Sequence, residues 1–270
     1  MPLPDPSPDR TALVTGASSG IGVEIASELA RRGQHVTLVA RSEAKLRELA
    51  GEIARSGVEA DVLAADLSDR DARAALPGRV AGLGKEVSIL VNNAGLSTLG
   101  PVHRADPDAE INMIEVDVVA VADLCTRFLP AMVERHSGAI LNVASTAAFQ
   151  PIPGQAGYAA CKAFVLSDTQ ALAGELRGTK VTATALCPGP VHTGFGEAAG
   201  FSQQDAESAL PSFMWEPVDT VAKCGVDALA AGRVVAIPGL ANRAAATFAA
   251  HIPRQLLVPL LAGRHPGLRH

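Results

Sequence analysis

A phenol and an ammonium group spaced four residues apart are the side chains of this sequence best suited to proton transfer. Tyr158, the single tyrosine among 270 residues, and Lys162 occur in the stretch GYAACKAF. Residues four apart share one face of a helix, and a neighbouring positive charge stabilises a phenolate, which lowers the pKa of tyrosine from about 10 toward neutral pH. The pair therefore predicts a general acid for carbonyl reduction. The alternative is an amphipathic surface pair, because this spacing also arises by chance.

A glycine-rich turn near the N-terminus has the composition of a phosphate-binding loop. In TGASSGIG, three glycines lie between an apolar strand pattern and the start of a helix pattern. Glycine permits a tight turn and a close backbone approach to a pyrophosphate, and a helix N-terminus offers free N–H groups. This pattern predicts a dinucleotide site; the alternative is a glycine turn that holds no ligand. The residues predicted to form the site are Gly16, Ser18, Ser19, Gly20, Ile21 and Gly22.

Arg41 bears on which dinucleotide would bind. The second strand should end near the adenosine ribose, where an acidic side chain would bind the 2′-hydroxyl of NAD. This chain has Ala40 and Arg41 there instead. A guanidinium pairs with a phosphate, so the pattern favours NADP(H) over NAD(H). The alternative is an ordinary surface arginine at a helix start.

Strand and helix patterns alternate along the chain and must position these groups. Apolar runs predict seven strands, at 11–15, 35–40, 58–67, 87–95, 138–145, 180–189 and 233–237. Helix patterns lie between them, including a long one over about 107–135. Such alternation predicts an α/β domain whose parallel strands are joined by right-handed crossovers. We expect one domain over residues 1–240, with a substrate lid at about 188–217 and an apolar C-terminal extension at 241–270.

Composition and charge argue against several classes of protein. The net charge is −5 with both signs scattered, which is unlike a nucleic-acid-binding protein. The four cysteines and seven histidines form no ligand-like cluster, so we expect no metal site. The proline-rich, acidic start is unlike a signal peptide, and no apolar run is long enough to span a bilayer. These features predict a cytoplasmic protein.

Taken together, the motifs resemble those of the classical short-chain dehydrogenases/reductases. TGASSGIG, Asp66 in ADL, NNAG at 92–95, NVAS ending at Ser145, YAACK and PGPVHT at 188–193 occur in the order of that family, over roughly residues 10–240. Several motifs in one order are far more specific than any one of them. The resemblance implies a Rossmann-like, doubly wound parallel sheet of about seven strands with helices on both faces. It also implies a homodimer or homotetramer.

The resemblance implies roles for individual residues. Ser145 would hydrogen-bond the substrate oxygen, Tyr158 would transfer the proton, and Lys162 would bind the nicotinamide ribose and lower the pKa of the tyrosine. The implied function is the interconversion of a ketone or aldehyde and an alcohol by hydride transfer with NADP(H). The other implied cofactor contacts are Asp66 and Leu67 at the adenine, Asn93 near the adenosine ribose, and Val191 and Thr193 at the nicotinamide carboxamide.

Asp117 departs from the family pattern. The family usually has an asparagine at this place in the long helix, and MIEVDVVAV has an aspartate here. A carboxylate on an apolar stripe needs a partner or a raised pKa. We predict that Asp117 replaces the asparagine in a proton relay behind Lys162; the alternative is a helix-stabilising acid at a slightly different register. The other residues of this apolar stripe are Ile114, Val121, Leu124 and Phe128.

The lid is apolar, which favours a hydrophobic substrate. We expect Phe213 and Trp215 to anchor it to the core rather than to recognise a ring. We also expect His192 to be solvated and Cys161 to be a small packing residue. The large apolar residues of the lid are Phe195, Phe201, Leu210, Phe213 and Met214.

The C-terminal extension combines apolar residues with arginines. It could lie on a membrane surface, or it could cover the substrate cleft or a subunit partner. We favour a cover or an interface, because Pro253 and Pro259 interrupt any long amphipathic helix.

Two other functions share part of this pattern. An epimerase or dehydratase of the extended branch is disfavoured by the glycine spacing and by NNAG. A non-catalytic NADP(H)-binding sensor or scaffold is disfavoured by the intact Ser145, Tyr158 and Lys162, although Asp117 leaves it open. NADPH oxidation with a panel of ketones and aldehydes distinguishes a reductase from a sensor, which consumes no cofactor.

Overall fold

The fold is organised around a parallel sheet. The computed structural model describes residues 3–198, 211–263 and 268. Within these residues the strands pair in the order β3-β2-β1-β4-β5-β6-β7, and every pair is parallel. The predicted Rossmann-like, doubly wound sheet is therefore confirmed. The strands are β1 Arg10–Thr15, β2 Val36–Ala40, β3 Ala60–Ala64, β4 Glu86–Asn92, β5 Gly138–Val143, β6 Val181–Leu186 and β7 Val235–Ala236.

Helices cover both faces of this sheet, as predicted. One core layer packs the sheet against α1, α2 and α8, and the opposite layer packs it against α3, α5 and α6. Each of these helices buries an apolar stripe and exposes polar residues, which is the pattern that sets their orientation. The helices are α1 Gly20–Arg31, α2 Glu43–Ala54, α3 Arg70–Gly82, α4 Pro107–Ile114, α5 Ala120–Glu134, α6 Ala156–Glu175, α7 Phe195–Ala198, α8 Val218–Ala230, α9 Leu240–His251 and α10 Arg254–Ala262.

Several strands end earlier than the apolar runs predict. Pairing stops at Asn92, Val143 and Leu186, so the segments that follow leave the sheet as loops. In a parallel sheet the carboxyl ends of neighbouring strands lie at one edge, where a ligand crevice forms. These loop segments therefore meet there. β7 has two residues rather than five, because only Val235 and Ala236 pair with β6.

The predicted long helix over 107–135 contains a wider turn. α4 continues through a π-helical turn, Glu115–Val119, into α5. Such a turn holds one extra residue, so the faces of α4 rotate relative to those of α5. The prediction that Ile114 lies on the buried stripe is therefore wrong: it is 38% exposed, and Met113 is buried instead. The other predicted stripe residues are buried, namely Asp117, Val121, Leu124 and Phe128.

The C-terminal extension forms the two short helices α9 and α10. The inner face of α9 packs against two 3-10 turns, Thr146–Phe149 after β5 and Ser212–Met214 before α8. Its outer face leaves Leu240 and Phe248 exposed. Within the described residues, no helix has the length and apolar character needed to cross a bilayer.

Candidate active site

Three side chains predicted to be catalytic meet at the carboxyl edge of the sheet. Ser145 follows β5 and begins the turn Thr146–Phe149, whereas Tyr158 and Lys162 lie on α6. The Ser145 hydroxyl lies next to the Tyr158 phenol and lowers its pKa. The Lys162 Nζ lies 5.6 Å from the centroid of the Tyr158 ring. The fold thus assembles a hydroxyl, a phenol and an ammonium group, which can together bind an oxygen atom and exchange a proton with it.

Asp117 and Lys162 form a buried ion pair next to the phenol. Asp117 Oδ2 lies 2.8 Å from Lys162 Nζ, and neither side chain is more than 5% exposed. The Leu96 N–H donates to Asp117 Oδ1 at 2.7 Å, and Lys162 Nζ donates to the Val143 carbonyl at 3.3 Å. Burial raises the pKa of Asp117, against the lowering effects of the ammonium group and the Leu96 N–H. The partner that a carboxylate on an apolar stripe requires is therefore Lys162.

Gly95, the last residue of NNAG, packs its backbone against this ion pair. A Cβ at Gly95 would lie 3.1 Å from Lys162 Nζ and 3.2 Å from Asp117 Oδ2, so any larger residue would crowd both groups. Burial alone would lower the pKa of Lys162, but the charge of Asp117 reverses this and leaves the pKa raised. The lysine therefore remains an ammonium group at neutral pH.

The phenol of Tyr158 is less acidic than its spacing to Lys162 predicts. Burial raises the pKa of Tyr158 above its ordinary value of 10.0, against the lowering effects of Lys162 and Ser145. The charge of Asp117 raises it further. Cys161 is buried, as its predicted packing role requires. The predicted net lowering of this pKa is therefore wrong in this structure, because burial dominates and Asp117 offsets the ammonium charge. The phenol is protonated at neutral pH, as a general acid must be.

The glycine turn after β1 is packed too closely to admit side chains. A Cβ at Gly16 would lie 2.8 Å from the Cα of Ala94, and one at Gly22 would lie 2.3 Å from the Gly16 carbonyl oxygen. Gly16 and Gly20 also have φ angles of 65° and 56°, in the left-handed region that favours glycine. α1 begins at Gly20, so unpaired N–H groups of its first turn lie here. The turn therefore fits a pyrophosphate group.

Asn93, which follows β4, links this turn to the end of that strand by hydrogen bonds. Its Nδ2 donates to the carbonyls of Thr15 at 3.0 Å and Gly16 at 3.3 Å, and its backbone N–H donates to Thr15 Oγ1 at 2.9 Å. β1 and β4 are the neighbouring strands at which the strand order reverses, the usual place of a ligand crevice. Asn93 thus lies at the predicted dinucleotide site, and its contact with a ribose stays a prediction.

The predicted adenine end lies at the carboxyl ends of β2 and β3. Arg41 follows β2 and is exposed, whereas Asp66 and Leu67 follow β3. Asp66 Oδ1 accepts hydrogen bonds from the Ser68 N–H at 2.9 Å and hydroxyl at 2.8 Å. The bond from the Ser68 N–H is the main cause that lowers the pKa of Asp66, and the charge of Arg41 also lowers it. Arg41 and Asp66 are therefore close enough to interact.

The first residues of the predicted lid reach both the glycine turn and the Tyr158 phenol. A Cβ at Gly20 would lie 3.1 Å from Thr193 Cγ2. The ring of Phe195 lies 5.9 Å from that of Tyr158, at an interplanar angle of 49°. Val191 pairs with Glu216 in an isolated parallel bridge, which holds this stretch in place. This segment thus places an apolar ring beside the phenol.

The remaining lid predictions have mixed outcomes. Phe213 is 70% exposed, so the prediction that it anchors the lid to the core is wrong. Trp215 stacks on the ring of His192 with centroids 4.2 Å apart, so this histidine contacts a ring as well as solvent. Phe201 and Leu210 lie outside the described residues.

Within the described residues, no three or more His, Cys, Asp or Glu side chains are grouped so that they could hold a metal ion.

A buried guanidinium lies near the site. The guanidinium belongs to Arg73, which is not among the residues predicted from the sequence. It is 2% exposed and shares the buried stripe of α3 with Leu76 and Val80. A charged residue on an apolar stripe is the signal that identifies Asp117, and the same signal was present for Arg73.

The sequence is similar to known dehydrogenases over most of its length. It matches the short chain dehydrogenase family over residues 10–203. It is 39% identical over 184 residues to a very-long-chain 3-oxoacyl-CoA reductase of Anas platyrhynchos, a match that covers 66% of this chain and 58% of that protein. The chain spans about three fifths of the length of the first curated relatives it matches.

Solved structures with similar folds contain nicotinamide dinucleotides. A short-chain dehydrogenase from Sphingobium yanoikuyae in complex with NADPH is 33% identical, with a TM-score of 0.79 over 92% of this chain and 94% of that one. A 3-ketoacyl-(acyl-carrier-protein) reductase from Brucella melitensis complexed with NADH is 30% identical, with a TM-score of 0.76 over 84% and 96%. Chains similar to this one thus bind either NADPH or NADH.

Proposed function

Because this chain belongs to the short-chain dehydrogenase/reductase family of oxidoreductases, we propose that it interconverts a ketone or aldehyde and an alcohol with NADP(H) as cofactor. The observation that carries the proposal is the grouping of Ser145, Tyr158 and Lys162 at the sheet edge that also holds the glycine turn. A proton donor and a phosphate-binding turn at one edge suit hydride transfer coupled to proton transfer.

The protein contributes position and a proton to this reaction. The nicotinamide, when bound, supplies or accepts the hydride at the substrate carbon. In reduction, the Ser145 hydroxyl donates a hydrogen bond to the carbonyl oxygen and the Tyr158 phenol gives that oxygen its proton. Lys162 stabilises the resulting phenolate by its charge. In oxidation the same phenolate takes the proton back.

Asp117 holds and partly neutralises Lys162 in this scheme. Its 2.8 Å contact with Nζ fixes the ammonium group between α6 and the π turn. Its charge also disfavours the phenolate of Tyr158, which keeps the phenol protonated at neutral pH. We propose that Asp117 takes the relay position that an asparagine usually occupies, and that it sets the pH range of the reaction.

The direct test is NADPH oxidation with ketones and aldehydes of increasing apolar size. The ring of Phe195 beside Tyr158 leads us to expect that hydrophobic carbonyl compounds are the better substrates. Turnover that rises with apolar size supports the proposal. Dinucleotide binding without consumption, across the whole panel, would instead favour the sensor or scaffold.

The preference for NADP(H) rests on Arg41, and its replacement gives a testable outcome. We expect Arg41→Asp to weaken NADPH binding by about 10- to 100-fold, because a phosphate–guanidinium contact becomes a repulsion, while NADH binding changes little. Titration of each dinucleotide by fluorescence measures both constants. Arg47→Asp is a matched control, since Arg47 is an exposed arginine of α2 that pairs with Glu43. Equal losses for NADPH and NADH in Arg41→Asp would refute the preference.

We propose that residues 1–240 act as one dinucleotide-binding and catalytic domain, with residues 188–217 as its lid and residues 241–270 as a cover or subunit interface. The packing of α9 against the turn after Ser145 supports a cover. Asn242 on α9 donates to the Met214 carbonyl at 2.9 Å, which ties the cover to the far end of the lid. Assembly into a homodimer or homotetramer is proposed from the family, and light scattering tests it.

A further inference from the structure

Arg73 is a buried cation that the proposed reaction does not use. Within the described part of the chain, it and Lys162 are the buried arginine and lysine side chains, and Arg73 is 2% exposed. A buried guanidinium is costly unless each of its charged donors finds a partner. The identity of its partners therefore indicates what the residue holds together.

Two of these partners are Leu67, which is predicted to contact the adenine, and Ser68, which follows it. Arg73 Nη1 donates to the Leu67 carbonyl at 2.6 Å and to the Ser68 carbonyl at 3.1 Å. Ser68 in turn donates twice to Asp66. We call residues 66–68 the adenine segment. The guanidinium thus fixes the backbone of this segment from inside the protein.

The other two partners belong to the long helix that holds Asp117. Arg73 Nη1 lies 3.3 Å from Glu115 Oε2, and its Nε donates to Asp123 Oδ2 at 3.2 Å. Glu115 is the first residue of the π turn and lies two residues before Asp117. One planar cation therefore spans from the adenine segment to the turn that carries the partner of Lys162.

The chemistry of the guanidinium explains why this bridge requires an arginine. Two of its nitrogens serve these partners: Nη1 lies within reach of both carbonyls and of Glu115, and Nε donates to Asp123. A lysine has one donor atom, so it could serve the partners of Nη1 or the partner of Nε, but not both. An apolar side chain would fill the space without joining the two elements.

We propose that Arg73 is a positioning residue that holds the adenine segment at a fixed place relative to the π turn, and so links dinucleotide binding to the position of Asp117. The proposal rests on the proposed function, because it assumes that a dinucleotide binds along this edge. It assigns Arg73 no contact with cofactor or substrate.

The test compares Arg73→Met and Arg73→Lys with the wild-type protein. Adenosine 2′,5′-bisphosphate is the probe for the adenine end, and its dissociation constant is measured by calorimetry beside that of NADPH. We expect Arg73→Met to bind the bisphosphate about tenfold more weakly and Arg73→Lys to lose part of that affinity, since the first has no donor and the second has one donor atom in place of Nη1 and Nε. Arg127→Met is the control: Arg127 pairs with Asp123 Oδ1 but does not touch the adenine segment.

A second readout separates positioning from general packing. The groups that face the Tyr158 phenol are Lys162, Asp117, Ser145 and the Cys161 thiol. If the π turn loses its anchor, Asp117 moves away from Lys162 and its effect on the phenol weakens. The alkaline limb of the pH profile for reduction should then move to lower pH in Arg73→Met and stay in place in Arg127→Met.

The outcomes distinguish this proposal from the proposed function. If the wild-type protein binds neither NADPH nor the bisphosphate, the proposed function fails. If it binds both, and the Arg73 variants retain wild-type affinity and pH profile while losing only thermal stability, Arg73 is structural and the positioning proposal fails. If Arg73→Met does not fold, two other variants provide the test. The proposal is overturned if Arg73→Lys binds the bisphosphate with wild-type affinity and Glu115→Gln keeps the wild-type pH profile.

Discussion

Tyr158→Phe is expected to lower kcat for ketone reduction by about 10²- to 10⁴-fold, the range that general acid catalysis contributes. The substitution removes one hydroxyl and leaves the ring, so its contact with Phe195 and its packing on α6 are retained. The loss should therefore appear in kcat, because the carbonyl oxygen no longer receives its proton. Steady-state NADPH oxidation at saturating substrate measures it.

Two controls identify the cause of that loss. NADPH affinity, followed by fluorescence, should remain at the wild-type value in Tyr158→Phe, since the glycine turn lies on a different element. Ser145→Ala should also slow the reaction, because its hydroxyl lies next to the phenol and is proposed to bind the substrate oxygen. Reduction at full speed by Tyr158→Phe would overturn the mechanism.

Asp117→Ala is expected to destabilise the fold by about 3–5 kcal/mol, the usual result of removing one partner of a buried ion pair. The ammonium group of Lys162 would lie 5% exposed beside a small apolar side chain, with the Val143 carbonyl as its other partner. Urea unfolding measures the change in the free energy of unfolding. Asp117→Asn is the matched variant and should lose less, since its amide oxygen can still accept from Lys162. Equal stability of Asp117→Ala and the wild-type protein would contradict the ion pair.

The same position should control the pH profile, and the sign follows from charge. A carboxylate near Tyr158 disfavours the phenolate and raises the pKa of the phenol, so Asp117→Asn should lower that pKa. Reduction requires the protonated phenol, so its rate should begin to fall at a lower pH in this variant. The initial rate of NADPH oxidation, measured as a function of pH, gives the pH at which reduction begins to slow. A profile identical to that of the wild-type protein would remove the support for Asp117 as part of the relay.

Local patterns were sufficient to predict the sheet, because apolar runs alternating with helix stripes specify parallel strands. The pairing of Tyr158 with Lys162 followed from their helical spacing, whereas the role of Ser145 was implied only by the family resemblance. Residues 93–95 and 187–189 were assigned to strands because they directly follow apolar runs. They leave the sheet because the neighbouring strands end there. The sequence of one segment does not show where its neighbouring strands end.

Properties that depend on three-dimensional neighbours were harder to predict. The spacing of Tyr158 and Lys162 shows an ammonium near a phenol, but not that burial and Asp117 would outweigh its effect on the pKa. Phe213 is aromatic and so was expected inside, yet it is 70% exposed. Arg73 could have been found from its place on the apolar stripe of Leu76 and Val80. Two of its four partners, Glu115 and Asp123, come from a helix distant in sequence, which the stripe does not reveal.

The wider turn at Glu115–Val119 has a consequence for how this helix can vary. Because one surplus residue puts its two halves out of phase, Met113 and Leu124 can both point inward while Asp117 meets an ammonium group. Deletion of a single residue there would restore a regular α-helix and rotate one half about the helix axis by roughly 100° relative to the other half. The wider turn thus constrains the length of this segment as well as its chemistry. Asp117 can be replaced by asparagine through a single substitution, whereas a deletion would turn the apolar face of one half of the helix out of line with that of the other half.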